Sequence, residues 1–443
     1  MSVNFIKYHD ALAVADPIQA HGKVTKVVGL VVEAEGPVTH LGSVCHVISA
    51  DQRRKVRAEV LGFRDNRVLL MPLEDIRGIG PGSRVVALGE QAFVSVGKGL
   101  LGRIIDGIGE PIDGKGGIPT ERKYPIYADP INPLARGRIR QPLDVGIRAI
   151  NGLLTVGCGQ RIGLFSGSGV GKSVLLGMIA RHTSADVNVI ALIGERGREV
   201  NEFIDKQLGT AGLAKSVIVV ATSDHLPLIR TRGAFIATAI AEYFRDLGKT
   251  VNLMMDSVTR FAMAQREIGL ALGEPPTAKG YTPSVFTLLP RLLERAGTSV
   301  NEGTITGLYT VLVEGDDMNE PISDAVRSIL DGHIVLSRDL AMQNHYPAID
   351  VLKSVSRVMT DVIDEGHRNH AGTLKDVLAT YRNSEDLINI GAYESGTNPK
   401  IDDAISKIDA INGYLRQPMD QRVTLSDCVA RLAEIMETAP ETA

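Results

Sequence analysis

The run Phe165-Ser166-Gly167-Ser168-Gly169-Val170-Gly171-Lys172-Ser173 joins small residues to a lysine and a hydroxyl. Small residues let backbone N–H groups curl around phosphate oxygens. A helix that starts after such a loop adds unpaired N–H groups and the positive end of its dipole. Lys172 then puts a cation on the β- and γ-phosphates, and Ser173 supplies a hydroxyl for Mg²⁺. One position departs from the pattern G-x-x-x-x-G-K-[ST]: its first glycine falls at 166, where this chain has Ser166. Gly167, Gly169 and Gly171 keep the loop small. A dinucleotide turn of the G-x-G-x-x-G type needs no Lys-Ser at its end.

Phosphoryl chemistry also needs a carboxylate near the metal and a group that orients water. The apolar run 251–255 ends in Asp256, which suits either a magnesium-side carboxylate or a helix N-cap. The run 187–193 leads into Gly194-Glu195-Arg196. A glutamate at the end of a central parallel strand faces the ligand crevice. Glu195 therefore suits a general base, with a surface ion pair as the other reading from spacing alone.

These residues need strands and helices to hold them. Residues 161–165, 187–193, 216–221 and 251–255 are short apolar runs, as expected of strands buried on both faces. Helix-length segments, 172–181, 198–208 and 228–247, lie between them. The alternation predicts a parallel sheet with helices on both sides, which 304–313 and 333–336 extend. Before it, the runs 24–32, 43–49, 55–62, 67–72 and 83–88 are separated by turn signals and read as a small β-barrel. Residues 4–15 fit a short amphipathic helix or a terminal arm. The Gly- and Pro-rich stretch 97–145 reads as an ordered connector. From 346 onward the pattern is helical. That segment carries ten basic against sixteen acidic side chains, a solvated surface on the simplest reading. The expected domains are a barrel over 1–95, a P-loop ATPase domain over 96–345 and a helical domain over 346–443.

Composition narrows the class. The 443 residues fit two or three domains. With 44% hydrophobic and 23% charged residues the chain can bury a core, which argues against global disorder. A net charge of −4 argues against a broad nucleic-acid footprint. Cys45, Cys158 and Cys428 are sparse and form no CxxC, which fits a reducing compartment. No signal peptide and no run of about 18 apolar residues is present, so a cytoplasmic location is expected. His367 and His370 have no further ligand cluster in sequence, and no zinc site is expected.

Several motifs occur together in one order. They are Gly167-Ser168-Gly169-Val170-Gly171-Lys172-Ser173, Gly194-Glu195-Arg196-Gly197-Arg198-Glu199-Val200, Asp256-Ser257-Val258-Thr259-Arg260-Phe261 and Gly280-Tyr281-Thr282-Pro283-Ser284. Tyr346-Pro347-Ala348-Ile349-Asp350 and Ser354-Val355-Ser356-Arg357 follow. The set resembles the type III secretion ATPase family, its flagellar protein-export branch above all. That family is related to the catalytic β subunit of rotary ATP synthases. The resemblance covers about residues 20 to 440.

The resemblance implies an α/β fold: an N-terminal β-barrel, a central RecA-like ATPase domain with a mostly parallel sheet, and a C-terminal helical domain. It implies a Mg²⁺-dependent ATPase. Residues Gly167, Ser168, Gly169, Val170, Gly171, Lys172, Ser173 and Val174 would bind ATP, and Tyr346 would stack on adenine. Ser173 and Asp256 would stand beside magnesium. Glu195 matches the catalytic glutamate, Arg196 a phosphate-side arginine, Arg260 a motif arginine, and Arg357 an arginine finger. Alone, Tyr346 reads as a half-buried tyrosine and Arg357 as another helix arginine. Implied partners are further copies in a hexameric ring, stator-like and stalk-like subunits, export chaperones and substrates, and a membrane export gate. No nucleic acid is implied. The implied location is the cytoplasm, peripheral at the inner face of the membrane. An injectisome ATPase, a rotary synthase catalytic subunit and a hexameric RNA translocase are the other readings. Ser166 weakens the synthase reading, and an aromatic content of 4% weakens the RNA one.

Overall fold

The computed structural model describes residues 21–300 and 302–437. The amphipathic helix expected over 4–15 lies outside them. The described residues fall into two compact units, one running to Phe93 with Ile268–Glu274 added, the other holding Val94–Glu267 and the chain from Pro275.

The first unit is a closed six-stranded barrel. Its strands are β1 (His21–Val28), β2 (Val31–Glu35), β3 (Ser43–Ile48), β4 (Lys55–Arg64), β5 (Arg67–Pro72) and β6 (Arg84–Gln91), in the order β1-β2-β5-β4-β3-β6. Alternation sets its interior. In β3, Ser43, Cys45 and Val47 point inward, and with Val24, Val32, Ala58, Val60, Leu70 and Val85 they fill the barrel. The expected run 24–32 is two strands, not one. Gly29 takes φ +55°, and the chain reverses there into an antiparallel pair. In a single-sequence view Val27-Val28 and Val31-Val32 merge, because one turn glycine hardly breaks the apolar run.

The second unit is built on a sheet whose main path has eight strands. They are β7 (Arg103–Asp106), β8 (Arg161–Ser166), β9 (Val187–Ile193), β10 (Ser216–Ala221), β11 (Thr250–Asp256), β12 (Thr304–Leu312), β13 (Gly332–Leu336) and β14 (Ile349–Ser356). Their order is β14-β13-β8-β12-β11-β9-β10-β7. All neighbours are parallel except β13 and β14. Every residue of β9 and β10 is buried, as strands covered on both faces require. The crossovers include α1 (Lys172–His182), α2 (Gly197–Glu202), α3 (Pro227–Asp246) and α4 (Val258–Leu272).

Four elements differ from expectation. The helix expected over 198–208 is α2 followed by a π-helical turn, Phe203–Leu208. The connector 97–145 contributes an edge strand: β7 pairs with β10, its Arg103 held by Asp113 at 2.6 Å. β12 joins the sheet as expected, but in its middle, between β8 and β11, and not at an edge. And β14 runs past 346, where helix was expected. It pairs antiparallel with β13 and buries Ile349, Asp350 and Val351. Its polar residues hid it.

The end of the chain is helical: α5 (Glu365–Asn389), α6 (Pro399–Leu415) and α7 (Leu425–Glu437). Asp364 and Asn398 cap α5 and α6, accepting from His367 N at 2.8 Å and Lys400 N at 3.1 Å. Leu374, Leu378, Ile411, Leu415 and Leu432 belong to the same core as the sheet. His367 Nε2 meets Gly152 O at 2.7 Å, and His370 Nε2 lies 3.4 Å from Glu437. The two histidines thus face different partners. Among the described residues, no helix is long and apolar enough to cross a membrane.

Candidate active site

β8 delivers the chain to its loop and α1 receives it. Gly169 and Gly171 adopt φ of +80° and +90°, the left-handed region where a side chain is strained. Ser166 closes β8 with strand backbone, and its carbonyl accepts from Val313 N at 2.9 Å. Position 166 therefore does not demand glycine here. No side chain caps α1, so the N–H groups of its first turn remain for an anion. Ser168, Gly169 and Ser173 are exposed, while Gly167 and Val170 are buried and Val174 is intermediate.

The parallel register brings three ends together at the carboxyl edge of the sheet, where such folds bind ligands. Lys172 opens α1, Glu195 follows β9, and Asp256 ends β11. The Lys172 ammonium donates to Asp256 Oδ1 and reaches Glu195 Oε1 at 3.5 Å. Burial pulls down on the Lys172 pKa, but the Asp256 and Glu195 carboxylates outweigh it and hold the lysine above its usual value. Glu195 is pushed up to about 7, first by burial, with Lys172 opposing and Asp256 reinforcing. The Asp256 side chain is 4% exposed and accepts a further bond from Thr310 Oγ1 at 2.8 Å. A carboxylate near neutrality beside a fixed cation and a second, buried carboxylate is an arrangement suited to moving a proton next to phosphate.

The remaining predicted residues are placed unequally. Arg260 packs under Gly194: a Cβ on that glycine would come 2.7 Å from Arg260 Cβ. The Arg260 Nε is buried without a partner, and among the described residues the side chain has no ion pair. Arg196 points outward and pairs with Glu199 at 3.2 Å. Tyr346 is half exposed, with ring carbons 3.7 Å from where a Cβ on Gly171 would stand. Its carbonyl accepts from Gln417 N at 2.9 Å.

Arg357 is not brought to its own chain's loop, and it is not on a helix. It follows β14, whose Ile349 pairs with Leu336 and whose Ser356 pairs with Gly332. Leu336 is level with Ser166 and Arg357 with Asp331, five residues back along β13 and its lead-in, so Arg357 lies at the opposite edge of the sheet, about 17 Å away along the strand. Its N–H donates to Asp331 O at 3.0 Å and its guanidinium to Leu330 O at 3.3 Å.

Sequence reasoning missed Thr310 and Thr259. Thr310 sits inside an apolar-looking strand, and Thr259 Oγ1 accepts from Leu312 N at 2.8 Å, joining α4 to β12. Thr310 lies in no motif, and Thr259 lies within the Asp256–Phe261 motif, which by its spacing points to no role for the threonine.

Oxygen donors suit Mg²⁺, which takes one or two protein groups plus substrate phosphates in preference to an all-protein cage. Among the described residues, no cluster of three or more His, Cys, Asp or Glu side chains is placed to hold a metal alone. The Ser173 hydroxyl and the Asp256 carboxylate fit the shared kind of site.

The model of the ATP synthase alpha/beta family, nucleotide-binding domain, matches residues 146–356. The beta-barrel domain of the same family matches 24–89, and the T3SS EscN ATPase C-terminal domain matches 363–434. The chain is 54% identical to the flagellum-specific ATP synthase of Bacillus subtilis over 96% of this chain and 97% of that one. It is similar to the assembled ATPase EscN of the enteropathogenic E. coli type III secretion system, with TM-score 0.89 and 48% identity over 94% of this chain and 100% of that one. A structure of EscN in complex with its central stalk EscO matches with TM-score 0.87 and 47% identity, over the same shares of both chains.

Proposed function

The chain belongs to the ATP synthase alpha/beta family, and as a member of it, we propose, it is the ATPase that energises flagellar type III protein export. One observation carries the chemistry: Lys172, Glu195 and Asp256 converge beside an uncapped helix N-terminus. The substrate is ATP with Mg²⁺. Loop amides from Gly167 to Val174 and the Lys172 ammonium hold the phosphates. Ser173 and Asp256 stand on the metal side. Mg²⁺, when bound, neutralises charge on the β- and γ-phosphate oxygens. Glu195 orients the attacking water and takes its proton. Arg260, whose guanidinium has no carboxylate partner among the described residues, and Arg196 supply positive charge next to Glu195. Tyr346 offers its exposed face to adenine.

Arg357 completes the site of a neighbouring copy. Its position at the far edge of the sheet forbids a role at its own loop, so the working unit is a ring of identical chains, a hexamer by analogy with its family. We propose three functional parts: the barrel (1–95), the ATPase part, carried from 96 past the expected 345 to the end of β14 at Ser356, and the helical end beyond β14. Further proposed partners are stator-like and stalk-like subunits, export chaperones with their substrates, and a membrane gate. The proposed location is the cytoplasmic face of the membrane.

The similarity to EscN favours a second reading, effector secretion by an injectisome. The higher identity to a flagellar relative favours the first. A nucleic-acid translocase is a poor fit, since residues 21–91 contain a single aromatic, Phe63. Deletion of the gene decides between the first two. Loss of filaments with normal effector secretion supports flagellar export; intact filaments contradict it.

A further inference from the structure

Thr310 lies on β12, one residue past the Met255–Tyr309 pair that sets the register with β11. It is fully buried, and its single hydroxyl proton has two acceptors in reach, Asp256 Oδ1 at 2.8 Å and Met255 O at 3.3 Å. The carboxylate is the nearer acceptor and the charged one, so it takes the bond. The other donor to Oδ1 is Lys172, and neither donor is on Oδ2. Lys172 has competing claims: Glu195 at 3.5 Å and, in the proposed reaction, the phosphates. Thr310 has none. It sits on a central strand, in a closely packed position, and cannot follow the nucleotide.

We propose that Thr310 is a positioning residue for the metal-side carboxylate. It fixes Asp256 through Oδ1 whichever anion Lys172 serves, and so keeps Oδ2 presented to the metal side of the nucleotide. The proposal rests on the reading of Asp256 as magnesium-associated. It goes beyond that reading in naming what holds the carboxylate when the lysine changes partner.

The test uses the full chain with Thr310→Val, which removes the hydroxyl and keeps the shape, and Thr310→Ser, which keeps the hydroxyl. Binding of a fluorescent ATP analogue is titrated with and without Mg²⁺, and turnover is measured against Mg²⁺ concentration. For Thr310→Val, Mg²⁺-free binding should stay within about twofold, and the Mg²⁺ needed for half-maximal turnover should rise roughly tenfold or more, the worth of a bond to a charged group. Thr310→Ser should return to within about threefold of the parent. A Thr310→Val chain with the parent's Mg²⁺ requirement overturns the proposal. So does a Thr310→Ser chain as impaired as Thr310→Val, which would make the residue a packing element. If Thr310→Val does not fold, Thr310→Ala carries the same comparison. A parent chain with no Mg²⁺-dependent turnover defeats the functional reading instead, and the binding arm still reports on Thr310.

Discussion

Lys172 and Asp256 are joined directly at the head of the sheet, the ammonium of α1 donating to the carboxylate that ends β11. Each would be costly to bury alone. Together they link the first turn of a helix to a strand two places away in the sheet, and they set the charge that Glu195 feels. The lysine thus has a structural partner as well as a proposed phosphate partner.

Lys172→Ala should abolish turnover. It should also cost about 3 kcal/mol of stability, the low end for breaking a buried pair, because Thr310 still donates to Asp256. Lys172→Met combined with Asp256→Asn should recover most of that stability and none of the activity. Chemical denaturation of the three chains checks this. A single lysine variant as stable as the parent would show that the pair carries no structural weight.

Glu195 should give kcat/KM an ascending limb centred near pH 7, since a base works only when deprotonated. Glu195→Gln should bind ATP and hydrolyse it very slowly, without that limb. Stability follows the opposite sign. Between the ordinary 4.5 and the raised value near 7 the folded chain holds a proton that the unfolded chain has lost. Stability should therefore fall as pH rises through that window, and Glu195→Gln should flatten the decline. Normal turnover by Glu195→Gln would remove it as the base.

Tyr346 should matter to affinity more than to chemistry. Tyr346→Ala should weaken nucleotide binding roughly tenfold, the scale of a lost base–aromatic stack, while Tyr346→Phe keeps it. Equal loss in both variants would point to the hydroxyl instead of the ring.

The phosphate loop and the two strand-end acids were legible because their chemistry depends on local spacing. A glycine loop, a lysine and the end of an apolar run all lie within a few residues. β14 was not legible, because Asp350, Lys353 and Ser354 interrupt its apolar residues and make it look like a solvated helix. Asp350 is in fact buried and paired with Arg382 of α5 at 2.9 Å. Thr310 was hidden for a different reason. Its partner lies 54 residues earlier and meets it only through sheet register. Arg357 could be given a role only through resemblance, since its own chain keeps it away from its loop.

The central claim is that two chains build each site, one giving Lys172 and Glu195, the other Arg357. Turnover should be measured for Lys172→Ala, for Arg357→Ala, and for the two mixed and reassembled. Arg357→Ala alone should keep its nucleotide affinity and lose roughly 10³-fold or more in rate. Each variant alone should be nearly inactive. The mixture should regain a substantial fraction of the parent rate, about a quarter for random assembly, because some boundaries then unite an intact Lys172 with an intact Arg357. A mixture as inactive as its components would contradict the shared site.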